Sequence, residues 1–235
     1  MPVADVLRKS SNIGAAKISL MLGREKFYDY LRRFGLGKNL KIDLPGEESG
    51  ILHHVDKWSG ISCSRIAIGQ GIAVTPLQML SVYNTIANGG RLMKPHVVRR
   101  VVNGDGEVVL ENRPQVLSTP IGSRISYTMR ELLARVTESG GTGRRARIEG
   151  MRVAGKTGTA QKPENGGYSD TNYMASFVGF VPAEKPEISL IVVIDEPQPR
   201  HTGGYVAAPV FKTIAEQAIR YLHLPASPYP VASRM

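Results

Sequence analysis

The 235-residue sequence has one cysteine, only 6% aromatic residues and no long apolar run. The lone cysteine, Cys63, excludes an internal disulfide and a multi-cysteine metal site. No segment approaches the roughly 18 apolar residues that a membrane-spanning helix needs, and no secretory-type leader is recognisable, so these residues are expected to carry no anchor or export signal. With 42% hydrophobic and 21% charged residues, the chain is predicted to be globular and to bury one sizeable core.

Acidic residues are scarce relative to basic ones, 20 against 30, which gives a net charge of +10. A basic surface could serve nucleic acid, anionic lipid or an acidic polymer such as a cell-wall glycan, or only solubility. The densest basic cluster, residues 144–147, has no interleaved aromatic residue, so nucleic-acid binding is not expected. The five histidines have no spacing that places two on one helical face, and no metal site is predicted.

The middle of the chain is predicted to be mostly helical. Apolar periodicity and turn residues predict these segments: helix over 3–34 in two pieces interrupted at 10–12, ordered loop over 42–64, helix from Thr75 to 89–90, a hairpin of 97–102 with 107–110, and helix over 124–138. Thr75 followed by Pro76 is a typical helix start, with threonine as the cap.

The C-terminal third has strand patterns over residues 151–160, 173–181 and 187–195, followed by a helical pattern over 207–222. Short connections between consecutive strands favour antiparallel pairing, with the last helix packed on the sheet. The sequence therefore predicts an α+β fold. Residues 225–235 are expected to form a tail.

The segment Lys156-Thr157-Gly158-Thr159 lies in the first of these strands. Alternation along a strand places Lys156 and Gly158 on one face and the two threonines on the other. Lysine brings positive charge to a carboxylate, glycine lets another chain approach closely, and an exposed N–H can stabilise a tetrahedral oxyanion. These properties suit acyl transfer at a peptide terminus. The alternative is an ordinary polar strand end.

A second motif, Ser10-Ser11-Asn12, interrupts the N-terminal helical pattern. Serine and asparagine often gather at helix ends, where they cap unpaired backbone N–H groups. On its own, this motif is therefore explained better by capping than by catalysis. The lysine segment found with it favours catalysis, because Lys-Thr-Gly and Ser-x-Asn are two of the three signatures of active-site-serine penicillin-interacting enzymes.

The sequence resembles the transpeptidase domain of class B penicillin-binding proteins, most closely the cell-division type, over nearly its whole length. The matching stretches are residues 8–14, 68–78, 141–143, 153–161, 177–183, 203–204 and 208–211. The resemblance implies the penicillin-binding transpeptidase or β-lactamase-like fold: an antiparallel sheet flanked by helices, with a helical lobe. It assigns residues 1–224 to part of this domain. Serine β-lactamases and carboxypeptidases are more distant alternatives, since they usually have shorter spans between the motifs.

By resemblance, catalytic roles fall on Ser10, Asn12 and Lys156, and substrate binding on Ser11, Thr157, Gly158 and Thr159. Ser10 would join a proton-transfer network that Lys156 tunes, and Asn12 would hydrogen-bond the substrate amide. The two threonines would hold the terminal carboxylate, and the Thr159 N–H would form one arm of the oxyanion hole. No cofactor is implied.

The family's third signature, Ser-x-x-Lys, does not occur in the 235 residues. In the family, that serine attacks the penultimate D-Ala carbonyl of a stem peptide. We therefore expect a truncated product or fragment that does not crosslink peptidoglycan unaided. The alternative is a non-catalytic remnant that binds stem peptides or division partners.

The resemblance also implies partners and a location. Peptidoglycan stem peptides, β-lactam antibiotics and membrane proteins of the division complex are the expected partners, and septal cell-wall synthesis is the expected process. A full-length parent would sit in the cell inner membrane with this domain in the periplasm or otherwise outside.

Overall fold

The computed structural model describes residues 1–164 and 166–226. The described helices are α1 (Val3–Arg8), α2 (Asn12–Leu22), α3 (Arg24–Arg33), α4 (Ser62–Ala67), α5 (Pro76–Ala87), α6 (Ser123–Ala134) and α7 (Gly203–Tyr221). The described strands are β1 (Leu92–Met93), β2 (Arg100–Val102), β3 (Val108–Glu111), β4 (Val116–Ser118), β5 (Ala154–Glu164), β6 (Gly167–Val181) and β7 (Ile188–Asp195). No helix in the described part is long and apolar enough to cross a membrane.

The central sheet is antiparallel, in the order β5-β6-β7. Its register pairs Lys156 with Val178 and Gly158 with Ser176. Helix α7 packs on one face of the sheet, whereas α5 and α6 pack on the other. This arrangement confirms the predicted α+β fold with a helix packed on three consecutive strands.

Two apolar cores hold the sheet between its helices. On the α7 side, the rings of Phe177 and Phe211 are fully buried and meet edge to face, with centroids 4.8 Å apart. On the other side, Phe180 packs with Ile86 of α5 and Leu133 of α6. Burial of a phenylalanine side chain contributes about 1.5–3 kcal/mol, so these rings fix the sheet between its two helical layers.

A smaller core lies in the N-terminal lobe around Trp58. Phe27 and Tyr28 of α3 meet the Trp58 ring edge to face, at 6.1 and 5.9 Å between centroids. Helix α2 contributes little apolar burial, because Ser19 is its one buried residue. The exposed side chains of α2 include Ile13, Ile18, Leu20, Met21 and Leu22.

Helix α5 begins as predicted. The Thr75 hydroxyl accepts a hydrogen bond from the Gln78 N–H, and the Gln78 side chain accepts one from the Thr75 N–H, which together form a capping box. The buried Gln78 amide also donates to the Lys38 and Ser49 carbonyls, at 2.9 and 2.8 Å. One side chain therefore caps a helix and ties it to the preceding loop.

Several predicted boundaries were wrong. The N-terminal pattern forms three helices, not two, because Gly23 has a φ of 83° and ends α2. The predicted loop over 42–64 contains a 3₁₀ turn, Val55–Lys57, and the start of α4. Helix α7 begins at Gly203, four residues before the predicted start. The predicted hairpin is present as β2 and β3 and is exposed, whereas most of the predicted tail, residues 227–235, lies outside the described residues.

Candidate active site

Ser10 and Lys156 meet in the folded chain although they lie 146 positions apart. The Lys156 ammonium donates a hydrogen bond to the Ser10 hydroxyl at 2.6 Å. Ser10 lies between the end of α1 and the cap of α2, and its φ of 54° is uncommon for a residue other than glycine. The two motifs that the sequence singled out thus form one cluster.

Burial lowers the pKa of Lys156 from its ordinary 10.5 to about 8, because desolvation disfavours the charged form. The ammonium keeps two hydrogen-bond acceptors, the Ser10 hydroxyl and the Thr157 carbonyl, the latter at 3.1 Å. A lysine with such a pKa exchanges a proton near physiological pH, which a lysine in water does not.

Ser11 and Asn12 have different surroundings from Ser10. The Ser11 hydroxyl accepts a hydrogen bond from the Gly14 N–H at 3.2 Å and caps α2. Asn12 opens α2 with an exposed side chain. Capping therefore explains Ser11 and not Ser10, and the substrate role for Ser11 and the amide-binding role for Asn12 stay predictions.

The two threonines of the lysine segment face the start of α7. The Thr157 and Thr142 hydroxyls share a hydrogen bond at 2.9 Å, and the Gly203 N–H donates to the Thr159 hydroxyl at 3.1 Å. Lys156 makes its contact with Ser10 instead, as the alternation of side chains along a strand predicts. The predicted catalytic lysine and substrate-binding hydroxyls thus belong to opposite faces of β5.

Strand β5 is an edge of the described sheet, since it pairs with β6 alone among the described strands. The backbone groups on the other side of an edge strand can pair with an extended peptide. Gly158 lies within this edge, opposite Ser176 of β6. The arrangement combines an open strand edge with the Lys156 ammonium and the threonine hydroxyls.

The start of α7 approaches this region backbone to backbone. A Cβ on Gly203 would lie 2.1 Å from the Ser176 carbonyl oxygen and 2.3 Å from that of Gly158. A Cβ on Gly204 would lie 2.3 Å from the Thr142 carbonyl oxygen. Only glycine permits this contact, which brings the positive end of the helix dipole to the threonines and favours an anion there.

Three residues of this arrangement were not among the predicted site residues: Thr142, Gly203 and Gly204. Each lies in a stretch that carries the family resemblance, 141–143 or 203–204, and that was the available signal. The loop around Thr142 is also tied to α1, because the Thr142 N–H donates to the Arg8 carbonyl at 3.2 Å. This loop therefore links the Ser10 side of the cluster to the threonine side.

A family model described as the penicillin-binding protein transpeptidase domain matches residues 1–216. The chain is 39% identical to penicillin-binding protein PbpB of Mycolicibacterium smegmatis, covering 96% of this chain and 36% of the relative. It is 34% identical to stage V sporulation protein D of Bacillus subtilis, covering 92% and 33% of the two chains. The chain thus spans about a third of the length of these relatives.

Solved structures have the same fold. Penicillin-binding protein 3 of Mycobacterium tuberculosis in complex with ampicillin matches with a TM-score of 0.90 and 36% identity, over 97% of this chain and 52% of that one. The transpeptidase domain of penicillin-binding protein 3 from Burkholderia pseudomallei matches with a TM-score of 0.86 and 33% identity, over 97% of this chain and 67% of that one.

Proposed function

The chain belongs to the transpeptidase-domain family of penicillin-binding proteins, and on this premise we propose that it carries part of a peptidoglycan D,D-transpeptidase site. This part comprises the strand edge that would bind the peptide and the threonines that would hold its terminal carboxylate. It also includes the Ser10 motif, which would belong to the proton-transfer network. The observation that carries the proposal is the hydrogen bond from Lys156 to Ser10, since it joins two motifs distant in sequence beside an open strand edge.

The donor stem peptide would add to β5 as an extended strand. Its terminal carboxylate would accept hydrogen bonds from the Thr157 and Thr159 hydroxyls, near the positive end of α7. The Thr159 N–H would stabilise the oxyanion that forms on the penultimate D-Ala carbonyl. Asn12, which is exposed at the start of α2, would hydrogen-bond the peptide amide.

The reaction also needs a nucleophilic serine, which the family supplies from Ser-x-x-Lys. That serine would bond to the D-Ala carbonyl carbon, the terminal D-Ala would leave with a proton, and the amine of a neighbouring stem peptide would displace the serine. Ser10 and Lys156 would pass the proton between the serine and the leaving amine, a task that suits a lysine pKa of about 8. Without this serine, the 235-residue chain is not expected to be acylated.

Intact-mass spectrometry after incubation with benzylpenicillin tests this proposal. The 235-residue chain should keep its mass, whereas a chimaera that places the preceding transpeptidase segment of M. smegmatis PbpB before Met1 should gain a penicilloyl adduct. In the chimaera, Lys156→Ala should slow acylation by about 100-fold or more. Lys162→Ala is the matched control, because Lys162 lies in the same strand and pairs with Asp195 and Glu196. An adduct on the 235-residue chain, or equal rates for the two variants, would contradict the proposal.

The open edge of β5 favours a second candidate, binding of stem peptides without catalysis. Titration of the 235-residue chain with diacetyl-L-Lys-D-Ala-D-Ala, followed by NMR, should shift the amide signals of residues 156–159. Shifts without acylation of the chimaera would favour this binding function over the transpeptidase. Absence of shifts would exclude it.

We also propose partners and a location for a polypeptide that contains this chain. The structures of M. tuberculosis penicillin-binding protein 3 with ampicillin and with aztreonam support β-lactams as ligands. Relatives named FtsI and stage V sporulation protein D support division-complex membrane proteins as partners and a place at the inner membrane, with this domain outside it. Co-purification of the polypeptide with the membrane fraction, and its labelling by a fluorescent penicillin added outside intact cells, are the expected results.

A further inference from the structure

Arg145 and Arg200 lie on the two faces of the Tyr205 ring. The Cζ atom of Arg145 is 3.7 Å from the ring centre, and that of Arg200 is 3.8 Å from it. Two guanidinium groups this close to one ring centre cannot share a face without overlap, so each covers one face. We call Arg145, Tyr205 and Arg200 the arginine clamp.

The arginine clamp brings two positive charges together beside the start of α7. Both arginines are exposed, and neither forms an ion pair with a carboxylate within residues 1–164 and 166–226. Tyr205 lies in the first turn of α7, where the helix dipole adds positive potential. An anion would relieve the repulsion between the two guanidinium groups, and their stacking on the ring reduces the entropy lost when they bind it.

The arginine clamp adjoins the candidate active site. Gly203, two residues before Tyr205, donates to the Thr159 hydroxyl, and Gly204 packs against Thr142 and Thr157. Arg145 follows the same Thr142 by three positions. A peptide whose terminal carboxylate lies at the threonines can therefore place a further acidic group at the arginine clamp.

We propose that the arginine clamp binds a second carboxylate of a peptide ligand, distinct from the terminal carboxylate assigned to Thr157 and Thr159. This inference rests on the proposed function for its peptide, although the anion site itself does not. The planar guanidinium donors suit a carboxylate or a phosphate. A nucleic-acid base is disfavoured as the occupant, because both faces of Tyr205 are already covered and cannot stack on it.

The test compares two peptides on the 235-residue chain. Diacetyl-L-Lys-D-Ala-D-Ala carries one carboxylate, and acetyl-γ-D-Glu-(Nε-acetyl-L-Lys)-D-Ala-D-Ala carries two. Calorimetry should give tighter binding of the two-carboxylate peptide, by about three- to tenfold. Arg145→Gln and Arg200→Gln should each remove most of this preference, and Arg200→Lys should restore less than half of it, because lysine keeps the charge without the planar stack.

Arg144→Gln is the matched control, since Arg144 is exposed in the same 3₁₀ turn as Arg145 and has no aromatic contact in the described part of the chain. Circular dichroism checks that each variant is folded. If Arg144→Gln and Arg145→Gln reduce the preference for the two-carboxylate peptide equally, the clamp is overturned, because diffuse positive charge would then explain the preference. Absence of any preference for the second carboxylate would also overturn it.

Arginine Nε–Hε signals separate failure of the clamp from failure of the proposed function. If neither peptide binds, the proposed binding of stem peptides by the 235-residue chain fails, and titration with acetate and with inorganic phosphate still tests the anion site. Shifts of the Arg145 and Arg200 signals with acetate would support a carboxylate site. Shifts with phosphate alone would overturn the proposal in favour of a phosphate site, and no shift with either ion would overturn it outright.

Discussion

At the scale of single residues, Lys156 combines strand geometry with a lowered pKa. Its position on the Ser10 face of β5 follows from alternation along the strand, whereas the pKa of about 8 follows from burial. Neither property could be obtained from the composition, in which Lys156 is one of 30 basic residues. The contact with Ser10 could be anticipated only through the family resemblance, because 146 positions separate the two residues.

Lys156 should make the free energy of unfolding depend on pH. Between about pH 8 and 10.5 the unfolded chain holds a proton on this lysine that the folded chain has lost, so stability should rise with pH. The free energy of unfolding of the wild type, relative to that of Lys156→Met, should therefore rise across this window, by at most about 1.4 kcal/mol per pH unit. Urea unfolding at pH 7, 8, 9 and 10 measures it.

Lys162 supplies the control for this experiment. It lies in the same strand, and the hydrogen bonds that its ammonium donates to the Glu196 and Asp195 carboxylates raise its pKa. The difference in free energy of unfolding between wild type and Lys162→Met should therefore stay constant from pH 8 to 10. A flat difference for Lys156→Met as well would show that burial does not shift the pKa of Lys156.

Gly203 should be intolerant of a side chain. A methyl group there would lie 2.1 Å from the Ser176 carbonyl oxygen, so Gly203→Ala must displace α7 from β5 and β6. The expected loss of stability is about 2–4 kcal/mol, measured by thermal unfolding. Gly60→Ala is the control, since nothing lies within 4 Å of the added methyl group. Similar melting temperatures for the two variants would contradict the close packing of α7.

At the scale of secondary-structure elements, the sequence predicted the helices and strands that have local signals. Thr75 and Pro76 marked the start of α5, and turn residues 103–106 marked the β2–β3 hairpin. The pair of β1 and β4 was missed because strands of two and three residues have no measurable periodicity. The start of α7 was missed because Gly203 and Gly204 are poor helix formers, held in the helix by contacts with the sheet.

The Gln78 side chain should matter more to stability than a cap alone. Gln78→Glu keeps the shape but removes the two amide donors to the Lys38 and Ser49 carbonyls, in a buried setting. We expect a loss of about 2–4 kcal/mol at pH 7. Gln217→Glu, on the exposed side of α7, should change stability by less than about 0.5 kcal/mol. Urea unfolding measures the loss of stability in each variant. Equal losses would contradict the role of the Gln78 side chain in tying α5 to the loop.

The arginine clamp shows which part of a site local sequence cannot reveal. The basic cluster at 144–147 has no aromatic residue interleaved with it in the sequence. The fold supplies Tyr205 of α7 from 60 positions away, together with Arg200 from the connection between β7 and α7. Contacts of this kind depend on tertiary packing, which periodicity and turn signals do not encode.

At the scale of the whole molecule, the two lobes differ in how much apolar surface they bury. The sheet and its helices enclose two continuous cores, whereas α2 buries Ser19 alone and leaves Ile13 and Met21 72% and 87% exposed. Local stability follows buried apolar contact, so the lobes should open with different free energies.

Amide hydrogen exchange should resolve this difference. Residues 12–22 should exchange faster than residues 177–181 of β6, with protection factors lower by about 100-fold or more. The hairpin of β2 and β3 is a second exposed element, and it should exchange at a rate closer to that of α2 than to that of β6. Uniform protection across 12–22 and 177–181 would show that α2 is held by the global stability of the fold.

The backbone conformation of Ser10 is less favourable for serine than for glycine. Its φ of 54° costs a residue with a Cβ about 1 kcal/mol relative to glycine, so Ser10→Gly should be more stable than Ser10→Ala, although both lack the hydroxyl that meets Lys156. Chemical denaturation of the two variants measures the difference. Selection for stability alone would favour glycine here, so we propose that the chain keeps this serine for the hydroxyl that meets Lys156.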